Sequence, residues 1–291
     1  MFYGLRMDVY CLTGKKENRM KFTKMHGISN DYVYVNGFEE NVKDPARTAR
    51  LVSERRTGIG SDGLIIIAPS QKADCRMIMY NADGTEGAMC GNGIRCVGKY
   101  AYEHGISGNN PMTVETKAGN KRLQFTLKDG KVEKVTVDMG IPEQTSLVPE
   151  PISIGGKDYS FVGISMGNPH AVYFMDEIDG LDLEKIGLGF ENHPRFPDRT
   201  NSEFIQIVDR NHIRMRVWER GSGETWACGT GATASAVAAV LSGYTENRVT
   251  VSLKGGDLEI FWDRESGHVF MTGEATEVFT GEIHLPWEVI V

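Results

Sequence analysis

The stretch Met89-Cys-Gly-Asn-Gly-Ile94 recurs later in the chain as Ala227-Cys-Gly-Thr-Gly-Ala232. Each copy leads into a segment rich in Ala, Val and Ile, and these segments, Gly93–Glu103 and Gly231–Leu241, are predicted to be helices. A Cys-Gly-x-Gly turn that opens a helix therefore occurs twice in the chain, and this repetition indicates a duplicated structural unit.

The correspondence between the two copies continues upstream of the cysteines. The matched residues are Glu86 and Glu224 at four positions before their cysteine, Asn81 and Glu219 at nine, and Asn30 and Asn168 at sixty. Because units that share spacing over this length usually share a core, the sequence predicts two pseudo-symmetric halves. We place these halves at residues 20–138 and 139–280, after an N-terminal extension at 1–19, and expect a β-like segment at 281–291 to join the first half.

Strand-like patterns dominate the chain outside the two predicted helices. The expected strands are Tyr32–Val35, Leu64–Ile67, Met112–Thr116, Arg122–Leu127, Val132–Asp138, Ile205–Val208, Ile213–Val217, Arg248–Leu253 and Val269–Thr272. Together with the helices they predict an α/β (α+β) fold. A ligand cleft is expected between the halves, because domain interfaces are preferred places for pockets.

Composition argues against several classes of function. The formal net charge of −7 and the lack of a basic stripe argue against nucleic acid as a partner. The apolar runs are far shorter than the roughly 20 residues that cross a bilayer, so no membrane span is expected. The first residues lack an apolar signal core, and the five cysteines form an odd set, which favours a cytoplasmic protein with free thiols.

The two cysteines of the repeat carry the predicted chemistry. In a turn that opens a helix, Cys90 and Cys228 fall at or next to the N-cap, where free backbone N–H groups and the helix dipole favour anions. We therefore expect a lowered thiol pKa and a docking place for a substrate carboxylate. Inversion of a carbon needs one base and one acid on opposite faces, so the pair predicts an amino-acid epimerase that binds a small-molecule substrate.

Two further residues, His170 and Glu219, are candidates to assist proton movement beside Cys228. No sequence feature indicates an electron-sink cofactor such as pyridoxal phosphate, and catalysis without a cofactor is expected. The chain has no paired C-x-x-C and no H-E-x-x-H motif, so no metal site is predicted. Gly58-Ile-Gly-Ser-Asp-Gly63 matches G-x-G-x-x-G, but a strand follows it where a dinucleotide site requires a helix.

Four blocks of sequence closely resemble the diaminopimelate epimerase family. They are Lys24-Met-His-Gly-Ile-Ser-Asn-Asp-Tyr32, Asn81-Ala-Asp-Gly-Thr-Glu-Gly-Ala-Met-Cys-Gly-Asn-Gly-Ile-Arg-Cys96, Ser165-Met-Gly-Asn-Pro-His170 and Glu219-Arg-Gly-Ser-Gly-Glu-Thr-Trp-Ala-Cys-Gly-Thr-Gly-Ala232. The resemblance implies an isomerase that converts LL- to meso-diaminopimelate without a cofactor, in lysine and peptidoglycan precursor biosynthesis. It also implies two similar halves, each a curved, mostly antiparallel sheet around a central helix, and a homodimer.

The same resemblance implies roles for individual residues. Cys90 and Cys228 match the family's bases, and His170 and Glu219 match functional positions. The implied substrate-binding residues are Asn30, Asn81, Gly91, Asn92, Asn168, Asn201, Glu219, Arg220, Gly229 and Thr230. Among these, the backbone of Gly91, Asn92, Gly229 and Thr230 corresponds to the α-carboxylate site, and Arg220 corresponds to the residue that holds the distal carboxylate.

The chain departs from the family pattern at Ser29, Tyr32, Gly63 and Trp226, where Gly, Phe, Gln and Gln are common. These departures leave a racemase for another amino acid, similar to histidine or proline racemases, as an alternative of the same class. A thiol redox protein is a second alternative, although the spacing lacks the C-x-x-C pattern typical of such proteins. A non-catalytic binding module is the third, and it predicts that loss of either cysteine leaves function unchanged.

Overall fold

The computed structural model describes residues 19–285. Residues 1–18 of the predicted extension, including Cys11, and residues 286–291 of the expected last segment lie outside the described residues. The helices of the described part are α1 (Pro45–Ser53), α2 (Gly91–Glu103), α3 (Leu183–Glu191) and α4 (Gly229–Leu241). None of them is long and apolar enough to cross a membrane.

Strands make up most of the remaining structure. The first eight are β1 (Arg19–Gly27), β2 (Asn30–Asn36), β3 (Gly63–Ala68), β4 (Cys75–Asn81), β5 (Glu86–Gly87), β6 (Met112–Thr116), β7 (Gly119–Lys128) and β8 (Lys131–Gly140). They are followed by β9 (Glu143–Gln144), β10 (Glu150–Ile154), β11 (Lys157–Ser165), β12 (Pro169–Phe174), β13 (Asn201–Asp209), β14 (His212–Glu219), β15 (Gly223–Thr225), β16 (Arg248–Leu253), β17 (Gly256–Trp262), β18 (Val269–Gly273) and β19 (Thr276–His284). Every strand expected from the sequence lies within one of these.

The two central helices begin where the sequence repeat predicts. Cys90 and Cys228 have extended backbone conformations, with φ of −125° and −126°, and each is the N-cap of the helix that follows it. The strands of each half pack around one of these helices. Because α4 is buried on nearly all sides, its sequence is built from Ala, Val and other small residues and has no polar face.

The strand pairings of the two halves follow one pattern. In the first half β1, β2, β3, β4, β6, β7 and β8 are neighbours in that order, parallel at β2–β3 and β4–β6 and antiparallel elsewhere. In the second half β11, β12, β13, β14, β16, β17 and β18 are neighbours, parallel at β12–β13 and β14–β16 and antiparallel elsewhere. This confirms the predicted α/β class and the pseudo-symmetric organisation.

Equivalent elements stand at a constant spacing of 138 residues, the distance from Cys90 to Cys228. Helices α2 and α4 begin and end at this spacing (91 to 229 and 103 to 241), and so do α1 and α3 (45 to 183 and 53 to 191). Strands β1 and β11 also do so (19 to 157 and 27 to 165). The repeat is therefore longer than the sixty residues over which the sequence alone reveals it.

Two strand pairings join the halves into one continuous sheet. Strand β8 pairs with β18, with Thr136 opposite Thr272, and β19 returns to pair with β1 along nearly its whole length. The boundary expected after residue 138 falls inside β8, and the boundary expected after residue 280 falls inside β19. Each expected boundary therefore falls within a strand that pairs with a strand of the other half.

Candidate active site

A cavity of about 1330 Å³ opens between the halves, and Cys90 and Cys228 both line it. At its floor the first turns of α2 and α4 meet: a Cβ placed on Gly229 would lie 3.5 Å from the Cα of Gly91. Glycine at both positions permits this approach, which places two helix N-termini side by side. The backbone N–H groups and dipoles of both helices therefore favour an anionic group at this point of the cavity.

The thiol of Cys90 is half-buried and sits in a hydrogen-bonded pocket. Its sulfur accepts from the backbone N–H of Gly93 at 3.3 Å, and the thiol donates to Asn30 Oδ1 at 3.2 Å. The amide of Asn30 in turn donates to Asp62 Oδ2 at 2.8 Å. These two hydrogen bonds hold the side chain of Asn30 with its Oδ1 facing the Cys90 sulfur.

The thiol of Cys228 is more deeply buried, with 5% of the residue exposed. The carboxylate of Glu219, which accepts from the hydroxyl of Thr225, lines the same cavity and acts on this thiol through its charge. The hydroxyl of Thr230 lies 3.7 Å from the Cys228 sulfur. Burial raises the pKa of the Glu219 carboxyl group.

Burial also raises the pKa of both thiols, and for Cys228 the rise is large. The backbone N–H groups of Gly93 and Gly231 act in the opposite direction, as the helix-end argument requires. The expectation of a lowered thiol pKa is therefore wrong for this structure. The helix N-termini do favour the thiolates, but loss of hydration in the cavity outweighs that effect.

Buried charges make the two thiols unequal. Arg95, fully buried in α2, donates to the carbonyl of Gly91 and to Asn92 Oδ1, and its positive charge favours the thiolate of Cys90. The charge of Glu219 raises the pKa of Cys90, where Arg95 opposes it. Beside Cys228, after the effect of burial, the negative charges of Glu219 and Glu203 both raise the pKa. We therefore expect Cys90 to be the thiol that ionises more easily.

His170 lies behind the wall of the cavity and does not line it. Its ring is fully buried, with Nδ1 2.7 Å from Glu203 Oε1 and Nε2 3.1 Å from Asn168 Oδ1. Asn168 itself lines the cavity and donates to the hydroxyl of Thr230 at 3.3 Å. His170 is therefore connected to the Cys228 side of the site through Asn168 and Thr230.

Most of the other residues implied by the resemblance gather at the cavity. Those that line it are Asn30, Asn81, Gly91, Asn92, Asn168, Glu219, Gly229 and Thr230. Asn201 is buried beside it, donating to the carbonyl of Pro169 and accepting from the backbone N–H of Arg220. The guanidinium of Arg220 donates to the carbonyl of Asp198 and does not line the cavity, so contact with a ligand would require this side chain to turn.

Three of the family departures, Ser29, Tyr32 and Trp226, line the cavity, and Gly63 lies behind it. Tyr32 lines the cavity, and a Cβ on buried Gly63 would lie 2.7 Å from its ring. The tyrosine ring thus fills space next to Gly63 that a longer side chain would need. Trp226 is 55% exposed at the cavity rim, and the ammonium of Lys254 lies 5.4 Å from its ring centroid.

Several residues around the site escaped prediction from the sequence. Glu203, Arg95 and Asp62 all support functional side chains. The signal for Arg95 is a charged residue between apolar Ile94 and Cys96, since a buried charge must be paired or hydrogen-bonded. Glu203 follows the polar stretch 198–202 and has no such signal. Asp62 has no comparable signal, because it lies in a Gly-rich loop where an exposed carboxylate is ordinary. Within residues 19–285, no group of three or more His, Cys, Asp or Glu side chains is placed to hold a metal ion.

Comparison with solved structures shows the same fold in several isomerases. A probable proline racemase from Agrobacterium radiobacter has a TM-score of 0.64 at 18% identity, covering 92% of this chain and 93% of that chain. A hydroxyproline epimerase from Agrobacterium vitis has a TM-score of 0.65 at 16% identity, with coverage of 92% and 93%. At this level of identity the likeness concerns the fold.

Comparison with sequences gives a closer relationship. The model of the family described as diaminopimelate epimerase matches residues 22–145 and 162–278. A diaminopimelate epimerase from Agathobacter rectalis is 54% identical, covering 91% of this chain and 100% of the relative. One from Desulfovibrio desulfuricans is 53% identical, with coverage of 91% and 99%. The chain belongs to the diaminopimelate epimerase family of isomerases.

Proposed function

We propose that this protein epimerises LL-2,6-diaminopimelate to meso-diaminopimelate by a two-base mechanism without a cofactor, in lysine and peptidoglycan precursor biosynthesis. The observation that carries the proposal is the placement of Cys90 and Cys228 at the N-termini of two equivalent helices that meet at one cavity. The relatives named diaminopimelate epimerase, at about half identity over nearly their whole length, support the choice of substrate.

In the proposed mechanism, the α-carboxylate of the substrate binds to backbone N–H groups at the paired helix ends, with Gly91, Asn92, Gly229 and Thr230 as the binding residues. One cysteine, as thiolate, removes the Cα proton, and the other, as thiol, returns a proton to the opposite face. The N–H groups and dipoles of both helices stabilise the negative charge that develops next to the carboxylate. Glu219 assists at Cys228, whose pKa its charge raises.

The remaining parts of the proposal concern the second head group and the assembly. Asn30, Asn81, Asn168, Asn201 and Arg220 bind the rest of the substrate, with Arg220 turned toward the distal carboxylate. Residues 20–138, completed by 281–291, and residues 139–280 are the two halves that each supply one cysteine. We also propose that the protein acts in the cytoplasm as a homodimer.

Exchange in deuterium oxide tests the proposed reaction. Incubation of the purified protein with LL-diaminopimelate should place deuterium at Cα and produce the meso isomer, both followed by NMR and chiral chromatography. Failure of deuterium to enter diaminopimelate would overturn the proposal, and entry into proline or histidine under the same conditions would identify a racemase for that amino acid instead.

Serine variants of the two cysteines test their roles. Ser is a favoured N-cap residue, so Cys90→Ser and Cys228→Ser keep the helix ends but replace the thiol by a hydroxyl that is a poor base. Each variant should lower kcat by about 10²–10⁴-fold, the usual contribution of a general acid or base. Cys75→Ser is the matched control, because Cys75 is buried away from the cavity and should keep activity whenever the variant folds.

A further inference from the structure

A carboxylate that no family motif above includes lies behind the Cys228 side of the cavity. Glu203 stands in β13 between Ser202 and Phe204 and is fully buried. Among the described residues, its Oε1 is paired with His170 Nδ1 at 2.7 Å and its Oε2 has no hydrogen-bond partner. A buried carboxylate with so few partners costs free energy, so its presence calls for a role other than packing.

The hydrogen bonds that begin at Glu203 run in one direction. Asn168 Oδ1 can only accept, so the hydrogen at 3.1 Å from it must be carried by His170 Nε2. The Asn168 amide nitrogen then donates to the Thr230 hydroxyl at 3.3 Å. Because that hydroxyl oxygen is already an acceptor, its own hydrogen is free to donate to the Cys228 sulfur at 3.7 Å.

The turn that opens α4 leaves room for this carboxylate. A Cβ placed on Gly231 would lie 2.8 Å from Glu203 Oε1 and 3.2 Å from the Cys228 sulfur. Glycine at position 231 therefore allows the carboxylate and the thiol to approach the same peptide. The position equivalent to Glu203 in the first half, 138 residues earlier, is Ile65, so only the Cys228 side has this arrangement.

We infer that Glu203 is a positioning residue for the proposed epimerisation: it orients His170 so that Nε2–H, Asn168 and Thr230 direct a hydrogen-bond donor at the Cys228 sulfur. The inference rests on the proposed function. A donor at this sulfur stabilises the thiolate that forms when Cys228 gives up its proton, and neighbouring hydrogen bonds in a chain strengthen one another. A carboxylate is suited to this position because it only accepts: Nδ1 must then carry a hydrogen as Nε2 does, and the negative charge of Glu203 stabilises the ring with hydrogens on both nitrogens.

The variant Glu203→Gln keeps the size of the side chain but has no charge and can either donate to or accept from Nδ1, so hydrogens on both ring nitrogens are no longer required. We expect kcat to fall by about 10–100-fold, as for other residues that orient a functional histidine, while KM changes by less than about threefold. Glu203→Asp keeps the carboxylate and should retain more of kcat than Glu203→Gln. His170→Gln and the double variant His170→Gln/Glu203→Gln should show equal kcat values, because Glu203 acts through the ring.

The ring ¹⁵N NMR signals of His170, assigned by their loss in His170→Gln, give a readout that needs no substrate. In the wild type, both ring nitrogens should show the shifts of protonated nitrogens, and in Glu203→Gln the Nε2 shift should move toward that of a mixture of tautomers. Glu191→Gln is the matched control: Glu191 is a buried carboxylate that binds the Trp218 indole instead, so the His170 signals should stay unchanged.

The outcomes separate this inference from the proposed function. Wild-type kcat and unchanged ring signals in Glu203→Gln would overturn the inference, and so would a double variant whose loss is the sum of the two single losses. If the wild type fails to epimerise diaminopimelate, the proposed function fails, while the ring signals still report whether Glu203 orients His170. If Glu203→Gln does not fold, the same measurements on Glu203→Asp decide. The shorter carboxylate lies farther from Nδ1, so the Nε2 shift should move toward that of a mixture of tautomers and kcat should fall with it.

Discussion

At the scale of single residues, the carboxylate of Glu219 influences the acidity of the thiol it faces. Burial is the largest cause of the raised pKa of Cys228, and the charge of Glu219 raises it further. The charge of the carboxylate thus favours the form of Cys228 that keeps its proton on sulfur. We therefore expect Cys228 to start the proposed reaction as the acid.

The variant Glu219→Gln should lower the pKa of Cys228, because an anion that disfavours the thiolate is removed. Since only the thiolate reacts with iodoacetamide, the curve of Cys228 alkylation rate against pH should shift to lower pH. Peptide mass spectrometry at several pH values measures this. Glu86→Gln is the control: Glu86 lies in the first half and is paired with Lys117, so this variant should leave the Cys228 curve in place. An unshifted curve in Glu219→Gln would contradict the prediction.

At the scale of elements, the sequence predicts α2 and α4 nearly to their bounds, because each follows a Cys-Gly-x-Gly turn and is rich in small and apolar residues. Helices α1 and α3 were not predicted. Their start signals, Asp44 before Pro45 and Asp182 before Leu183, act as N-caps in the structure, but both segments are short and only partly buried. Their equivalence becomes visible only when the spacing of 138 residues is known from the fold.

The packing of β3 against β4 leaves no room for a side chain at position 63. A Cβ on Gly63 would lie 2.1 Å from the Tyr80 carbonyl and 2.7 Å from the Tyr32 ring. Gly63→Ala should therefore cost about 1–3 kcal/mol of folding free energy, as overpacking does, and lower the Tm measured by calorimetry by several degrees. Gly108→Ala is the control, because nothing lies within 4 Å of its Cβ. Equal Tm values for the two variants would show that β3 and β4 can move apart without loss of folding free energy.

At the scale of the whole molecule, the site was easier to predict than the division of the chain. The cysteines and most asparagines of the motifs do line one cavity, because the motifs lie at turns and strand ends that face it. The pairings β8–β18 and β1–β19 join residues far apart in the chain, and no local pattern marks which strand edges will meet. The positions of Asn201 and Arg220 outside the cavity lining likewise depend on contacts across the second half.

A fragment of residues 19–140 should not fold alone, since β1 and β8 would both lose the partners that cover their edges. We expect a poorly dispersed ¹H–¹⁵N spectrum and aggregation for this fragment, and recovery of soluble protein when residues 141–285 are produced with it. A dispersed spectrum from the first fragment by itself would mean that its half is an independent domain.

The contact between Gly91 and Gly229 links the stability of the protein to the occupancy of its cavity. Two helix N-termini, each with about half a positive charge, repel one another when nothing lies between them. A bound carboxylate removes that repulsion, so it favours the folded state by an amount that grows with its concentration. We therefore expect the empty molecule to unfold, and to be cleaved by proteases, more readily than the molecule with a carboxylate bound.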